Sequence, residues 1–169
     1  MMEADSLSRI ADAHINCGRP YEAVVAAQSA YTISLEIEHP WGQANSGYQL
    51  ARALVETGAY EEALTIALQS TEVARSLTFN VLLFVNLLAL GLVYQALLFP
   101  EKALQVHLEG LEVSKQVPSP RYVGLSFSLL CVDAALSGEW DAPSHYARQM
   151  LDTRDPQVVV CPEAPAGLK

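Results

Sequence analysis

The sequence predicts an all-α fold of about four helix-turn-helix repeats stacked into a solenoid. The first observation is an internal repeat, because four similar stretches, CGRPYEAV, TGAYEEAL, LLFPEKAL and SGEWDAPS, each begin 40 residues after the one before. The second is that apolar residues recur at helical spacing within each repeat. The third is that no window alternates apolar and polar residues between hairpin turns, so no strands are predicted.

The repeat register extends well beyond these four stretches. In the same register, several positions carry apolar or small residues in nearly every repeat. These columns are Ile10, Leu50, Leu90 and Leu130; Ala11, Ala51, Gly91 and Cys131; Ala23, Ala63 and Ala103; and Ala27, Ala67 and Ala147. A fixed period of this length indicates a repeat architecture, in which each unit packs against its neighbours.

Each repeat is predicted to form two helices separated by a short turn. In the second repeat, the first helix runs through WGQANSGYQLARALVET and ends at Gly58, since a C-terminal cap favours a residue without Cβ. The next helix starts at once, with Glu61 and Glu62 in its first turn, where the helix dipole favours anions. Pro20 and Pro100 mark the same helix start in the first and third repeats, because the first helical position tolerates proline.

The array is predicted to cover residues 1–152, with repeats at about 3–39, 40–79, 80–119 and 120–152. Ser119 followed by Pro120 is typical of an N-cap and a first helical residue at the start of the fourth unit. Residues 153–169 contain three prolines and little periodicity, which indicates a proline-rich tail or linker with Cys161 exposed.

An apolar segment from Asn80 to Pro100, NVLLFVNLLALGLVYQALLFP, carries no formal charge and could cross a bilayer if helical. In the repeat register, however, residues 81–97 form the first helix of an interior repeat with neighbours on both sides. A helix that is apolar all round is either buried or membrane-spanning, and no basic cluster flanks this one. We therefore predict a buried central helix and no membrane partner.

Composition and charge restrict the partners. The 169 residues are 51% hydrophobic and carry a net charge of −9. Such an acidic chain repels phosphate backbones and anionic headgroups, so no direct nucleic-acid partner is expected. Cys17, Cys131 and Cys161 are odd in number and scattered, which argues against a disulfide framework. The acidic N-terminus lacks the features of a signal peptide, so a cytoplasmic location is predicted.

No set of residues predicts catalysis or metal binding. His14 and Cys17 are three residues apart on a helix, but no second pair lies near them, and a packed histidine is the favoured interpretation. Exposed glutamates on the second helices are interpreted as solvated faces. The stretch GLSFS from Gly124 differs from a nucleophile elbow because it lacks the second glycine and lies within a helix. We expect no enzyme activity, no cofactor and no metal.

The third repeat carries Leu87, Leu90, Gly91 and Tyr94 in the pattern Leu-x-x-Leu-Gly-x-x-Tyr, followed by Ala103. This pattern resembles the tetratricopeptide repeat (TPR) family, with Leu87 where the family has tryptophan. The family's Gly-x-Tyr-x-x-Ala turn is matched by GAYEEA from Gly58. Departures are the 40-residue period, against a usual 34, and Pro143 and Met150 in the fourth repeat. Over about residues 3–152, the resemblance implies a right-handed α-α superhelix.

The resemblance also implies a concave groove lined by positions on the first helix of each repeat. These positions are polar in the first two repeats and mostly apolar in the last two. They are Ser8, Asp12, Asn16, Asn45, Tyr48, Arg52, Glu56, Val85, Leu88, Leu92, Leu125, Ser128 and Val132. The apolar half of this groove is interpreted as an interaction site, because exposed apolar patches usually mark such sites. The alternative is a tight superhelix whose inner surface closes on itself, so that these side chains contact only the chain's own helices. Arg52 and Glu56 are interpreted either as a weak ion pair or as part of a peptide grip.

The leading hypothesis is a non-enzymatic scaffold whose groove binds a peptide segment or another protein. The alternative is an effector-sensing or autoinhibitory regulatory domain with a small effector in the groove. This alternative follows from a resemblance of the long repeats to the sensor arrays of MalT-type bacterial regulators. Repeat arrays normally end in a polar capping helix. Three alternatives therefore stay open: the tail folds back, further chain supplies another helix, or a homodimer forms through the exposed C-terminal repeat.

Overall fold

The computed structural model describes residues 2–152, and this part of the chain consists of α-helices and short turns, with no strand. The helices are α1 (Met2–Asn16), α2 (Pro20–Glu36), α3 (Pro40–Thr57), α4 (Tyr60–Ser76), α5 (Asn80–Ala96), α6 (Pro100–Ser114), α7 (Pro120–Leu136) and α8 (Ala142–Asp152). The predicted all-α fold is therefore confirmed. The expected tail and Cys161 lie outside the described residues.

The helices pack as a linear array. Each helix contacts the next along the chain, and α3 also contacts α1 on one side and α5 on the other. Contacts restricted to neighbouring units are the defining property of a solenoid. The first helices α1, α3 and α5 therefore form one layer. Among the second helices, Tyr31 on α2 donates a hydrogen bond to Gln69 on α4, and Arg75 on α4 donates one to Glu109 on α6.

Proline and glycine set the helix ends where the sequence predicts them. Proline occupies the first turn of α2, α3, α6 and α7. Gly58 caps α3 in the left-handed region, with φ of +81°. Ser119 stands at the N-cap of α7 in extended backbone, but its side chain makes no capping hydrogen bond.

Two glycine-to-alanine changes are expected to shift stability in opposite directions. Gly58→Ala should lower the free energy of unfolding by about 1 kcal/mol, because L-residues rarely adopt a positive φ. Gly124→Ala should raise it by about 0.5–1 kcal/mol, because Gly124 lies within α7 and its Cβ would meet open space. Urea unfolding of both variants checks the signs, and equal signs would contradict the assigned backbone conformations.

The small-residue columns form the tightest part of the core. Ala11, Ala51, Ala27 and Ala67 are fully buried, because alanine lets neighbouring helices approach closely. In the apolar column, Leu50, Leu90 and Leu130 are also buried. Ile10, by contrast, is 46% exposed, since α1 contacts helices on one side only in this structure.

The apolar segment forms α5, the central helix of the array. Its buried residues are Leu82, Phe84, Asn86, Leu87, Ala89, Leu90, Gly91 and Val93. The one amide among them, Asn86, donates hydrogen bonds to the carbonyl oxygens of Ala44 at 3.1 Å and Leu82 at 2.9 Å. No helix within residues 2–152 is both long enough and apolar enough to span a bilayer. The apolar composition of this segment is therefore explained by its packing against α3, α4 and α6.

Candidate binding groove

The predicted groove residues lie on the first helices, and an ion pair joins two of these helices. Arg52 on α3 places Nη1 3.6 Å from Oδ1 of Asp12 on α1. Asn16 donates a hydrogen bond to the other carboxylate oxygen of Asp12 at 3.2 Å. The sequence suggested Glu56 as the partner of Arg52 because the two are four residues apart. The structure pairs Arg52 with Asp12 instead, since the neighbouring helix brings that carboxylate within reach.

Tyr48 lies one helical turn before Arg52 and is half-buried, as is Asn45. The Tyr48 hydroxyl accepts a hydrogen bond from Nε2 of Gln49 at 3.3 Å. Burial raises the pKa of Tyr48 above its ordinary value, the hydrogen bond from Gln49 opposes that shift, and the charges of Asp12 and Arg52 act in opposite directions. The phenol therefore stays protonated at neutral pH and can donate to a ligand.

A cavity of about 290 Å³ opens between α1, α3 and α5. Its walls are Ile15, Arg52, Val55, Glu56, Leu92, Gln95 and Ala96. The structure thus brings three predicted groove residues, Arg52, Glu56 and Leu92, to one place. Apolar walls with a few convergent polar groups are typical of ligand pockets.

The apolar half of the predicted groove keeps part of its surface accessible. Val85, Leu88 and Leu92 are half-buried, and Val85 packs beside a buried cluster of α3, α4 and α5 residues. On α7, Leu125 and Val132 are exposed. Ser8, at the opposite end, is buried. Burial therefore differs among the predicted groove positions, from buried Ser8 to exposed Leu125 and Val132.

Solved structures share this arrangement of helices. A Rap protein complexed with Competence and Sporulation Factor matches with a TM-score of 0.82 and 16% identity, over 90% of this chain and 43% of that chain. A putative kinesin light chain from Podosopora anserina with nearly identical TPR-like repeats gives 0.69 and 17%, over 89% and 74%. The fold is TPR-like.

The likeness is one of fold. The apo form of RapI gives a TM-score of 0.77 at 19% identity, over 90% of this chain and 56% of that chain. This chain therefore spans about half the length of the two Rap structures. No protein-family model and no curated protein matches the sequence.

The TPR-like array contains one buried polar joint that the sequence interpretation missed. His107 on α6 places Nδ1 2.6 Å from Oδ2 of Asp133 on α7. Gln95 on α5 donates from Nε2 to Oδ1 of the same carboxyl group at 2.6 Å. His107 and Asp133 are both buried, so three helices meet around a polar cluster inside the core.

The repeat register explains how this joint fits. His107 occupies the column that carries Ala27 and Ala67, and Gly91 replaces the alanine found at positions 11 and 51. A Cβ on Gly91 would lie against the His107 ring, with Cδ2 and Cε1 at 2.5 Å. The glycine therefore provides the space that the histidine ring fills. The sequence did contain a signal for this joint. His107 is a large residue in a column of alanines, and Gly91 is a glycine in another column of small residues.

The other candidates for chemistry stay separate in the structure. His14 is half-buried on α1, and Cys17 is exposed in the turn that follows. Among residues 2–152, no three His, Cys, Asp or Glu side chains come close enough together to hold a metal ion. Glu109 forms a bidentate ion pair with Arg75 on α4, with a distance of 2.8 Å between Oε2 of Glu109 and Nη2 of Arg75.

Proposed function

We propose that residues 1–152 act as a non-enzymatic binding scaffold whose groove takes a peptide segment or a segment of another protein. The observation that carries this proposal is the cavity between α1, α3 and α5, where Arg52, Glu56 and Leu92 meet. A TPR-like Rap protein has been solved in complex with a factor, which supports the use of this fold for binding.

The geometry suits an extended ligand. Tyr48 offers a protonated hydroxyl one turn from the cavity, and Asn45 and Asn16 add amide groups that can contact a peptide backbone. Leu92 supplies an apolar wall for a side chain of the ligand. A ligand along this face would thus meet hydrogen-bonding groups first and an apolar pocket next.

Alanine substitution at Tyr48 and Arg52 tests the groove. We expect each change to lower peptide retention about fivefold or more. The Tyr48 hydroxyl and the N–H groups that Arg52 does not turn toward Asp12 can donate to carbonyl oxygens of the peptide backbone. Central aromatic and arginine side chains often contribute over 1 kcal/mol to binding. The measurement is panning of a random hexapeptide library with blocked ends on the immobilised chain, with retained peptides quantified by mass spectrometry.

Matched controls are Tyr21→Ala and Arg148→Ala, which remove the same side chains from exposed sites on α2 and α8. Circular dichroism confirms that each variant keeps its helices. Unchanged retention by the folded Tyr48 and Arg52 variants would contradict the groove proposal.

A small effector is the second candidate occupant. The cavity volume of about 290 Å³ is close to the lower end of small-molecule pockets, about 300–1,000 Å³. In that case the chain would act as a regulatory or sensor domain, as its resemblance to MalT-type arrays suggests. Thermal-shift screening against metabolites separates the two, because a stabilising metabolite together with no peptide retention would favour the effector.

We also propose that the surface at the end of α7 and the turn after it is the contact surface of a homodimer. Leu136 at the end of α7 and Trp140 in the following turn are 54% and 77% exposed. Such side chains are typical of surfaces that a further unit or a second copy covers.

A further inference from the structure

We infer that the cavity between α1, α3 and α5 selects a cationic side chain, that of a lysine or an arginine in the bound segment. Glu56 and Gln95 would receive its charged end, and the apolar walls would enclose its stem. This inference rests on the proposed function, because it names the chemistry of the ligand that the groove takes.

The first argument is the balance of charge around the cavity. Arg52, the one cation in its walls, already has Asp12 at 3.6 Å. Glu56 is exposed and takes part in none of the ion pairs formed within residues 2–152. Two carboxylates therefore face one guanidinium, which leaves an excess of one negative charge. An anionic ligand would have to compete with Asp12 for Arg52 and approach Glu56 as well.

The second argument is the fixed orientation of the Gln95 amide. Gln95 donates from Nε2 to Oδ1 of Asp133 at 2.6 Å, so the group that it turns toward this carboxyl group is its NH₂. Asp133 is itself fixed by His107 on its other oxygen. The group that Gln95 has left to offer on the cavity wall is thus Oε1, a hydrogen-bond acceptor.

The third argument is the composition of the walls. Ile15, Val55, Leu92 and Ala96 supply apolar surface beside the two acceptors. Lysine and arginine combine a methylene stem with a charged end, so they match a site that is apolar along its walls and accepting on one side. A leucine would leave the acceptors without a donor, and a glutamate would be repelled by Glu56.

The test uses the random hexapeptide library with blocked ends, panned at about 150 mM salt to screen diffuse attraction to the acidic chain. We expect lysine plus arginine to be enriched about tenfold or more over aspartate plus glutamate at one peptide position, as a charge-assisted hydrogen bond allows. Glu56→Gln should remove most of that enrichment, and Glu56→Lys should reverse it toward acidic residues.

The matched controls are Glu36→Gln and Glu36→Lys, which change the net charge equally at an exposed site on α2. They should leave the enrichment at that peptide position unchanged. Equal losses in the Glu36 and Glu56 variants, or enrichment of neutral or acidic residues by the unaltered chain, would overturn the inference while leaving peptide binding intact. Failure of the unaltered chain to retain any hexapeptide would instead contradict the proposed function and, with it, this inference.

Discussion

Replacing His107 by alanine is expected to lower the free energy of unfolding by about 3–5 kcal/mol, because it leaves Oδ2 of the buried Asp133 carboxyl group without a partner. Removing the ring also leaves a cavity at the point where α5, α6 and α7 meet. Urea unfolding followed by circular dichroism measures the change. His145→Ala, at an exposed histidine on α8, is the control and should cost less than about 0.5 kcal/mol.

The double variant His107→Ala with Asp133→Val separates the polar pair from simple loss of packing. In the repeat register, the position of Asp133 carries Val93 in the preceding repeat, so the double variant restores an apolar joint. Replacing both partners of a buried pair often costs much less than removing one. We therefore expect the double variant to be more stable than His107→Ala alone. A double variant as unstable as the sum of its two single changes would contradict the assigned pairing.

Gly91→Ala is expected to lower the free energy of unfolding by about 3 kcal/mol, at the upper end of typical overpacking costs. The added Cβ would press on the His107 ring, and that ring cannot move aside easily because Asp133 holds it. Gly110→Ala on α6 is the matched control, since its nearest neighbour would be at 3.8 Å, an ordinary contact. Thermal unfolding of the two variants measures the difference.

The decisive measurement is Gly91→Ala in the background of His107→Ala. With the ring absent, alanine at position 91 should become neutral or stabilising by up to about 1 kcal/mol, as its helix propensity exceeds that of glycine. The first two repeats already carry alanine at both corresponding positions. The same destabilisation in both backgrounds would show that the ring is not what the glycine accommodates.

The helices could be predicted from the sequence because their signals are local. Gly58 and the helix-starting prolines Pro20, Pro100 and Pro120 act on their own turn of the chain, so position along the sequence was enough to place them. The 40-residue period then made the stacking of units predictable, and the burial of α5 followed from its interior place. Ile10 is exposed although it belongs to the apolar column of the repeat register. A column alone therefore does not predict burial, because burial also requires a neighbouring helix on that side of the residue.

The site was less predictable because its contacts join helices. Arg52 has carboxylates at Glu56 on its own helix and at Asp12 on another, and sequence spacing favours the first although the geometry selects the second. The pairing of His107 could not be predicted from spacing for the same reason, since Asp133 lies 26 residues further along the chain. To choose between a partner on the same helix and one on a neighbouring helix, the distance between the two helices must be known. Residue spacing along one helix does not give that distance.

The polar joint has a consequence for how the chain assembles. Units held together by alanine columns are nearly interchangeable, so a unit could dock beside the wrong neighbour during folding. The surface formed by Gly91 and His107 differs, since it is complete when Asp133 arrives from the next unit. Any other unit placed there would bring Ala13, Ala53 or Val93 in its stead and leave the imidazole without a partner. His107 thereby distinguishes the fourth unit from the others as the neighbour of the third.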